Sequence, residues 1–365
     1  MLLALGLVAG AAVPATAGTP PSLPPFDQSV FDATMTLERV EPHVVRVIDD
    51  GAGHDLTDLN TFEDLKPVSL LAAGDDGSVW MTSSGGFTRI GTRGEVPDPL
   101  DTFLAQMEIG PDGTLWIADG YRGSSIGEWR DGAWTIHELP STAWVVWMDA
   151  TPDGRLDFAW RDETTLTFER LPGSDGDGVL LPSPLRLGSP DGSVAVERTA
   201  DGRTWVAEGR SWLEGSRYTR FEPGPLWSFD GTAWHAVEPL GGLPVQPRDL
   251  AVDERDRLRV SWWEVAPDGA RLGPSYLTRR GDGGDWSIFH DGGWIDLSGA
   301  DDVLTGDSGR DWCTGYTRFD GQEPTHYLEG LCLRPAAITP SGDIWVFGHK
   351  RNRQDPGVYV ISPER

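Results

Sequence analysis

Residues 106–139, QMEIGPDGTLWIADGYRGSSIGEWRDGAWTIHEL, constrain the fold more than any other stretch. Apolar alternation at Met107 and Ile109 runs into the turn Pro111-Asp112-Gly113, and a second apolar run, Leu115-Trp116-Ile117-Ala118, follows. A glycine-rich loop leads to residues 126–129, then Arg130-Asp131-Gly132, then residues 134–139. Asp-Gly tolerates the positive φ that a tight hairpin demands, and alternation of period two marks a half-buried strand. The stretch reads as one complete four-stranded antiparallel unit.

With Trp116 as the anchor of the second strand, the unit recurs about seven times. Unit one spans 69–90 with Asp76-Gly77-Ser78-Val79-Trp80, and unit two is the stretch above. Unit three carries Pro152-Asp153-Gly154 and places Asp157 in the tryptophan slot. Unit four has Asp201-Gly202-Arg203-Thr204-Trp205 and an outer hairpin over 226–234. Unit five has Leu250-Ala251-Val252, then 257–260, then an outer hairpin expected over 287–294. Unit six has Ser308-Gly309-Arg310-Asp311-Trp312 as its second strand. Unit seven has Ser341-Gly342-Asp343-Ile344-Trp345 and ends at Ile361, one strand short. Anchor spacing from the low thirties to the mid fifties fits a ring with long loops better than a strict solenoid. Residues 44–48, Asp50-Gly51 and 53–56 read as an outer hairpin without inner strands, so N-terminal strands are expected to complete the last unit. Closure of this kind removes exposed sheet edges. The expectation is all-β: a seven-bladed β-propeller whose last blade is closed by the N-terminus.

PDGTLWIADG followed by EWRDGAWTIHEL resembles the two-component-regulator propeller repeat, and PDG-x-LW is also similar to repeats of streptogramin lyases and related propellers. The resemblance covers most of residues 40–362 and implies the fold much more than an activity. Propellers of that family precede a membrane helix and a kinase module; this chain carries neither.

The 46 Gly, 28 Pro and 17 Trp of the 365 residues suit many turns and an aromatic core. A net charge of -27 disfavours nucleic acid and anionic lipid as partners; solubility alone is a sufficient role for it. Cations, cationic ligands and basic proteins stay open. Lysine is confined to Lys66 and Lys350, a usage expected of a GC-rich bacterial genome. Residues 2–13 form a short apolar run before Ala15-Thr16-Ala17, an h-region and cleavage site. The run is too short to span a bilayer, and no Cys follows it to carry a lipid anchor. The basic segment normally ahead of such a run is missing, so a start upstream of Met1 is expected. The expected organisation is a signal peptide over 1–17, a Pro-rich lead-in over 18–36 and a propeller over 37–365. The product is a monomer exported to the periplasm or exterior, without stable membrane insertion after cleavage. Cys313 and Cys332 fit one disulfide in such a compartment, with two buried free thiols as the alternative.

Trp80, Trp116, Trp205, Trp312 and Trp345 share one slot, which means packing between blades, and Trp134, Trp234 and Trp294 in outer hairpins read as structural too. Trp144, Trp212 and Trp263 fall near expected loops, where an exposed ring suits a carbohydrate or a protein partner. On the innermost strand, the slot four residues before the Asp-Gly turn holds Ala72, Glu108, Asp149, Glu197, Ala251 and Ala337. If that slot faces the channel, Glu108, Asp149 and Glu197 could hold Ca²⁺, Mg²⁺ or a cationic ligand; the alternative is three solvated carboxylates in a wet tunnel. Such neighbours raise one another's pKa.

Loops after the second strands lie on one face, the expected ligand face for a small molecule, glycan or protein. They carry Tyr121 and Arg122, Arg161, Arg210 and Trp212, and His349 with Arg351. The run 349–353 is the one basic segment; it meets an anionic group or pairs with nearby carboxylates. Gly123-Ser124-Ser125-Ile126-Gly127 lacks the helix of a nucleophile elbow, and Gly306-Asp307-Ser308-Gly309 lacks a His and Asp context. The seven His show no zinc spacing. A lyase or hydrolase would have to use His349 as acid or base beside the Glu108 carboxylates. The leading reading is a non-enzymatic binding module.

Overall fold

The computed structural model describes residues 35–52, 71–82, 86–91, 96–100, 104–119, 125–171, 180–181, 184–189, 192–214, 218–238, 240–252, 256–280, 284–291, 294–297, 302–306, 315–319, 324–350 and 354–362. Among them every regular element is a β-strand. The strands form seven antiparallel sheets of four or five members and one two-stranded ribbon.

Sheet two is the opening repeat, strand for strand: Leu104–Ile109, Leu115–Asp119, Ser125–Arg130 and Ala133–Glu138. Its two turns differ in kind. In the first, Gly113 alone takes a positive φ of 81°, and the Thr114 N–H donates to Asp112 Oδ1 at 3.1 Å. In the second, Asp131 (52°) and Gly132 (83°) are both left-handed, as a two-residue type I′ hairpin requires. The same order of inner, second, third and outer strand recurs in sheet three, from Trp144–Ala150 and Leu156–Arg161, and in sheet four, from Val194–Arg198 and Thr204–Glu208. It recurs again in sheet five, from Val245–Val252 and Leu258–Val265.

The inner strands meet in chain order. Leu71–Ala73 of sheet one touches Leu104–Ile109, which touches Trp144–Ala150, then Val194–Arg198, then Val245–Val252, then Trp294–Leu297 of sheet six. Leu331–Ile338, the inner strand of the last sheet, returns to Leu71–Ala73. The last sheet has five strands, and Val44–Asp49 pairs antiparallel with Gln354–Ile361, Val44 opposite Ile361 and Val47 opposite Val358. N-terminal strands therefore complete the C-terminal sheet, as expected.

Among the described residues the core is divided among the seams between sheets. Each hydrophobic cluster is shared by two successive sheets. Leu115 and Ile117 face sheet one beside Trp80 and Phe87, whereas Trp116 and Ala118 face sheet three beside Met148, Leu156 and Phe158. Successive strand residues point to opposite faces, so a four-residue apolar run serves both neighbours. Outer-strand tryptophans reach back to the preceding sheet: Trp134 lies 5.9 Å from Phe87, Trp234 5.6 Å from Phe168, and Trp286 6.1 Å from Trp205.

Three sequence boundaries are corrected. The N-terminal hairpin is Thr36–Glu41 with Val44–Asp49, its turn putting His43 at φ 63°, and the arm expected over 53–56 lies outside the described residues. Residues 287–294 are not one hairpin: Trp286–Asp291 is the outer strand of sheet five and Trp294–Leu297 opens sheet six. The chain thus passes from one sheet to the next between Asp291 and Trp294, and Trp286 holds the slot assigned to Trp294. In sheet six the second strand is Asp302–Gly306, and Trp312 lies outside the described residues.

Removal of residues 36–49 is expected to abolish the cooperative thermal transition of the whole chain, followed by circular dichroism. A deletion variant melting like the intact protein would refute the closure.

Candidate functional site

Register decides where the slot carboxylates point. Glu108 stands opposite Trp116, Asp149 opposite Asp157, and Glu197 opposite Trp205. Directly paired residues share a face, so each carboxylate lies on the anchor-tryptophan side, at the axis end of the seam toward the next sheet. Glu108 enters the seam between sheets two and three, Asp149 the next, Glu197 the one after. Among the described residues no three His, Cys, Asp or Glu side chains stand close enough to hold a metal ion. The expected triad is placed as an arc over three seams.

The three still sense one another. Each is half-buried: water reaches it, but protein surrounds it. Burial, then the neighbouring Asp149 charge, pushes Glu108 up to about 8, against the Ala150 backbone N–H beside it. Burial and Asp149 also push Glu197 up to about 8, with Asp249 and Glu108 adding to the effect. Burial and Asp157 raise Asp149 to about 6, while Arg198 and Arg170 pull it back.

Asp157 explains why unit three lacks its tryptophan. It is fully buried and accepts from Arg170 Nε and, at 2.7 Å, Arg170 Nη2 on the adjacent strand. Arg198 Nη1 reaches it at 2.7 Å from the next sheet. An ion cluster thus joins sheets three and four where other seams use an indole ring. Arg259, opposite Ala251, fills the corresponding slot of sheet five and is also buried. Sequence reading saw the Asp157 substitution but missed Arg170, Arg198 and Asp249, whose partners are set by register between sheets.

On the opposite, loop-bearing end stand the other candidates. Trp144 is no loop residue: it opens the inner strand of sheet three and is 51% exposed, with the Arg161 guanidinium 5.8 Å from its ring centre. Arg161 is buried and Nη1 donates to the Gly192 carbonyl. Arg210 opens a ribbon, Arg210–Glu214 with Tyr218–Glu222, inserted between the second and third strands of sheet four. Its Nε pairs at 3.1 Å with the buried Glu208, which also accepts Trp227 Nε1 at 2.9 Å and the Gly188 N–H. The ribbon leans on sheet five, where Phe221 N–H donates to Gly269 O at 2.9 Å. A Cβ on Gly192 would meet Gly209 O at 1.8 Å, so these strands touch through glycine. Trp212 lies on the ribbon, and Trp263 is buried on the second strand of sheet five under Arg248 rather than in a loop. Tyr121, Arg122 and Arg351 fall outside the described residues.

His349 is half-buried near the end of Ile344–Lys350, its Nδ1 2.9 Å from the Lys350 carbonyl. It lies four residues beyond Trp345, the counterpart of Trp116, or about 13 Å along a strand. Its strand belongs to the closing sheet, whereas the three carboxylates stand on the inner strands of sheets two, three and four.

No family model matches this sequence, and no curated protein does. Solved structures do. The extracellular domain of the one-component system BT4673 of B. thetaiotaomicron matches with a TM-score of 0.51 and 15% identity, over 82% of this chain and 38% of that one. A second structure of the domain, described as part of a hybrid two-component system, gives the same figures. This chain has a β-propeller fold. It spans 38% of the length of those domains. YCF48 from Cyanidioschyzon merolae is 11% identical with a TM-score of 0.49, over 82% of this propeller and 98% of that chain. At these identities the likeness speaks to fold alone. Among the described residues of the propeller no helix is long and apolar enough to cross a membrane.

Replacing Asp157 with Ala leaves two guanidinium groups facing each other across a seam. A loss of about 3 kcal/mol of unfolding free energy is expected in urea titration; a change within error would show that the cluster contributes nothing.

Proposed function

We propose that this protein is an exported, monomeric, seven-bladed β-propeller acting as a non-enzymatic binding module, with its ligand on the loop-bearing face. The reading rests on Trp144. An indole half open to solvent, at the mouth of an inner strand and backed by a buried arginine, is a ready stacking platform. The inserted ribbon raises the same face, and built-up loops on a rigid scaffold are where binding usually sits. A glycan, a small molecule or a protein would each fit a flat aromatic contact of this kind. Ca²⁺ or Mg²⁺ held by Glu108, Asp149 and Glu197 has less support, because the three enter separate seams. A lyase or hydrolase centred on His349 has less again, because that imidazole stands apart from the carboxylates.

Trp144→Ala is expected to keep the native melting temperature and to lose at least about tenfold in affinity for any oligosaccharide or peptide that quenches wild-type tryptophan fluorescence. Unchanged affinity would remove the platform from the reading.

Cys332 sits on the inner strand of the closing sheet, opposite His349, and Cys313 lies outside the described residues. A Cys313–Cys332 bridge in the exported protein is part of the proposal. Under denaturing, non-reducing conditions no thiol should react with Ellman's reagent; two reactive thiols would rule the bridge out.

A further inference from the structure

The carboxylate arc spans three consecutive sheets, and Asp296, opposite Leu304, holds the equivalent slot of sheet six. The equivalent slot holds alanine in sheet one (Ala72), sheet five (Ala251) and the closing sheet (Ala337), where inner strands simply crowd together. In sheets two, three and four it holds Glu108, Asp149 and Glu197. We propose that these three side chains form a pH-sensitive clasp: as neutral carboxyls they let sheets two to five close at the axis, and their ionisation pushes those seams apart.

Among the described residues, the charged groups facing each member are of mostly one sign. Glu108 faces Asp149 from the neighbouring inner strand and Asp75 from the first turn of sheet one. Glu197 faces Asp149 on one side and Asp249 of sheet five on the other, with Glu108 beyond. Asp149 faces Asp157, Arg170 and Arg198. Those two arginines are the nearby cations, and both are already engaged by buried Asp157. Ionised Glu108 and Glu197 would therefore add negative charge to a half-buried arc whose cations are committed elsewhere.

The direction follows from proton linkage. A carboxyl that holds its proton more tightly in the folded chain than in the unfolded one makes folding take up protons. Stability from the clasp is complete near the ordinary carboxylate range. It is lost as pH rises through neutrality to the upper end of the raised values. This is opposite to the usual acid lability of paired carboxylates. It does not depend on Trp144, which stands at the other end of the inner strands, so either idea can fail alone.

The test is the thermal transition of the full chain between pH 5 and pH 9. The wild-type melting temperature is expected to fall by several degrees across that range. Glu108→Gln with Glu197→Gln, which mimics the neutral pair, should flatten the fall and melt higher than wild type at pH 8.5. A control with the same charge change on exposed positions, Glu163→Gln with Glu238→Gln, should keep the wild-type slope. A double variant with an unchanged slope, or a control that flattens equally, overturns the clasp. Should the double variant fail to fold, carbon-detected NMR of wild-type glutamate carboxyls decides: two resonances titrating well above the rest support it, and none doing so overturns it.

Discussion

Sheets one to four and the closing sheet of this protein are apolar on both faces, and no sheet can hide both by itself. That constraint organises everything else. Leu115 and Ile117 need sheet one, Trp116 and Ala118 need sheet three, and the demand passes round the chain until an end is left over. Pairing of Val44–Asp49 with Gln354–Ile361 meets the demand at that end. It places Val45 and Val47 against Val79 and Met81, and Val44 against Tyr316 and Tyr327. Burial of several such side chains at about 1.5–3 kcal/mol each outweighs the entropy of closing a long loop, which grows only with the logarithm of its length.

A molecule held together at seams can vary its chemistry seam by seam. Most seams carry an indole: Trp80, Trp116, Trp205 and Trp345 are all nearly inaccessible to solvent. Between sheets three and four the indole gives way to Asp157 with Arg170 and Arg198. A buried charge set of this kind is no more stabilising than a ring of similar size, but it is more directional, because a carboxylate without its arginines is heavily penalised. The arc of Glu108, Asp149 and Glu197 flanks that cluster. The ion cluster and the arc lie in sheets two to four, and so do the exposed Trp144 and the inserted ribbon.

The two ends of the inner strands have separate characters. At the turn end, tight four-residue turns leave little room for variation, and the side chains there are carboxylates facing seams. At the loop end, insertions lengthen the second-to-third connection, and arginines with an open indole line the rim. The proposed ligand platform and the proposed clasp therefore share no residues.

Local signals carried much of this fold. Asp-Gly and Ser-Gly turns, period-two alternation and a recurring tryptophan each depend on residues a few positions apart, so four-stranded units and the short last unit were legible in the chain. Where the chain passes between sheets, as between Asp291 and Trp294, the same local signal misleads, because a turn sequence looks alike whether the chain reverses within a sheet or leaves it. Direction around the axis was not legible at all. Alternation says that Glu108 and Met107 face opposite ways; it does not say that one way is a neighbour's tryptophan face rather than an open channel. The reach of Arg198 to Asp157, the nearness of Asp249 to Glu197 and the distance of His349 from the carboxylates all depend on how one sheet is set against the next. Only the packing of complete sheets, which no short window of sequence contains, determines that.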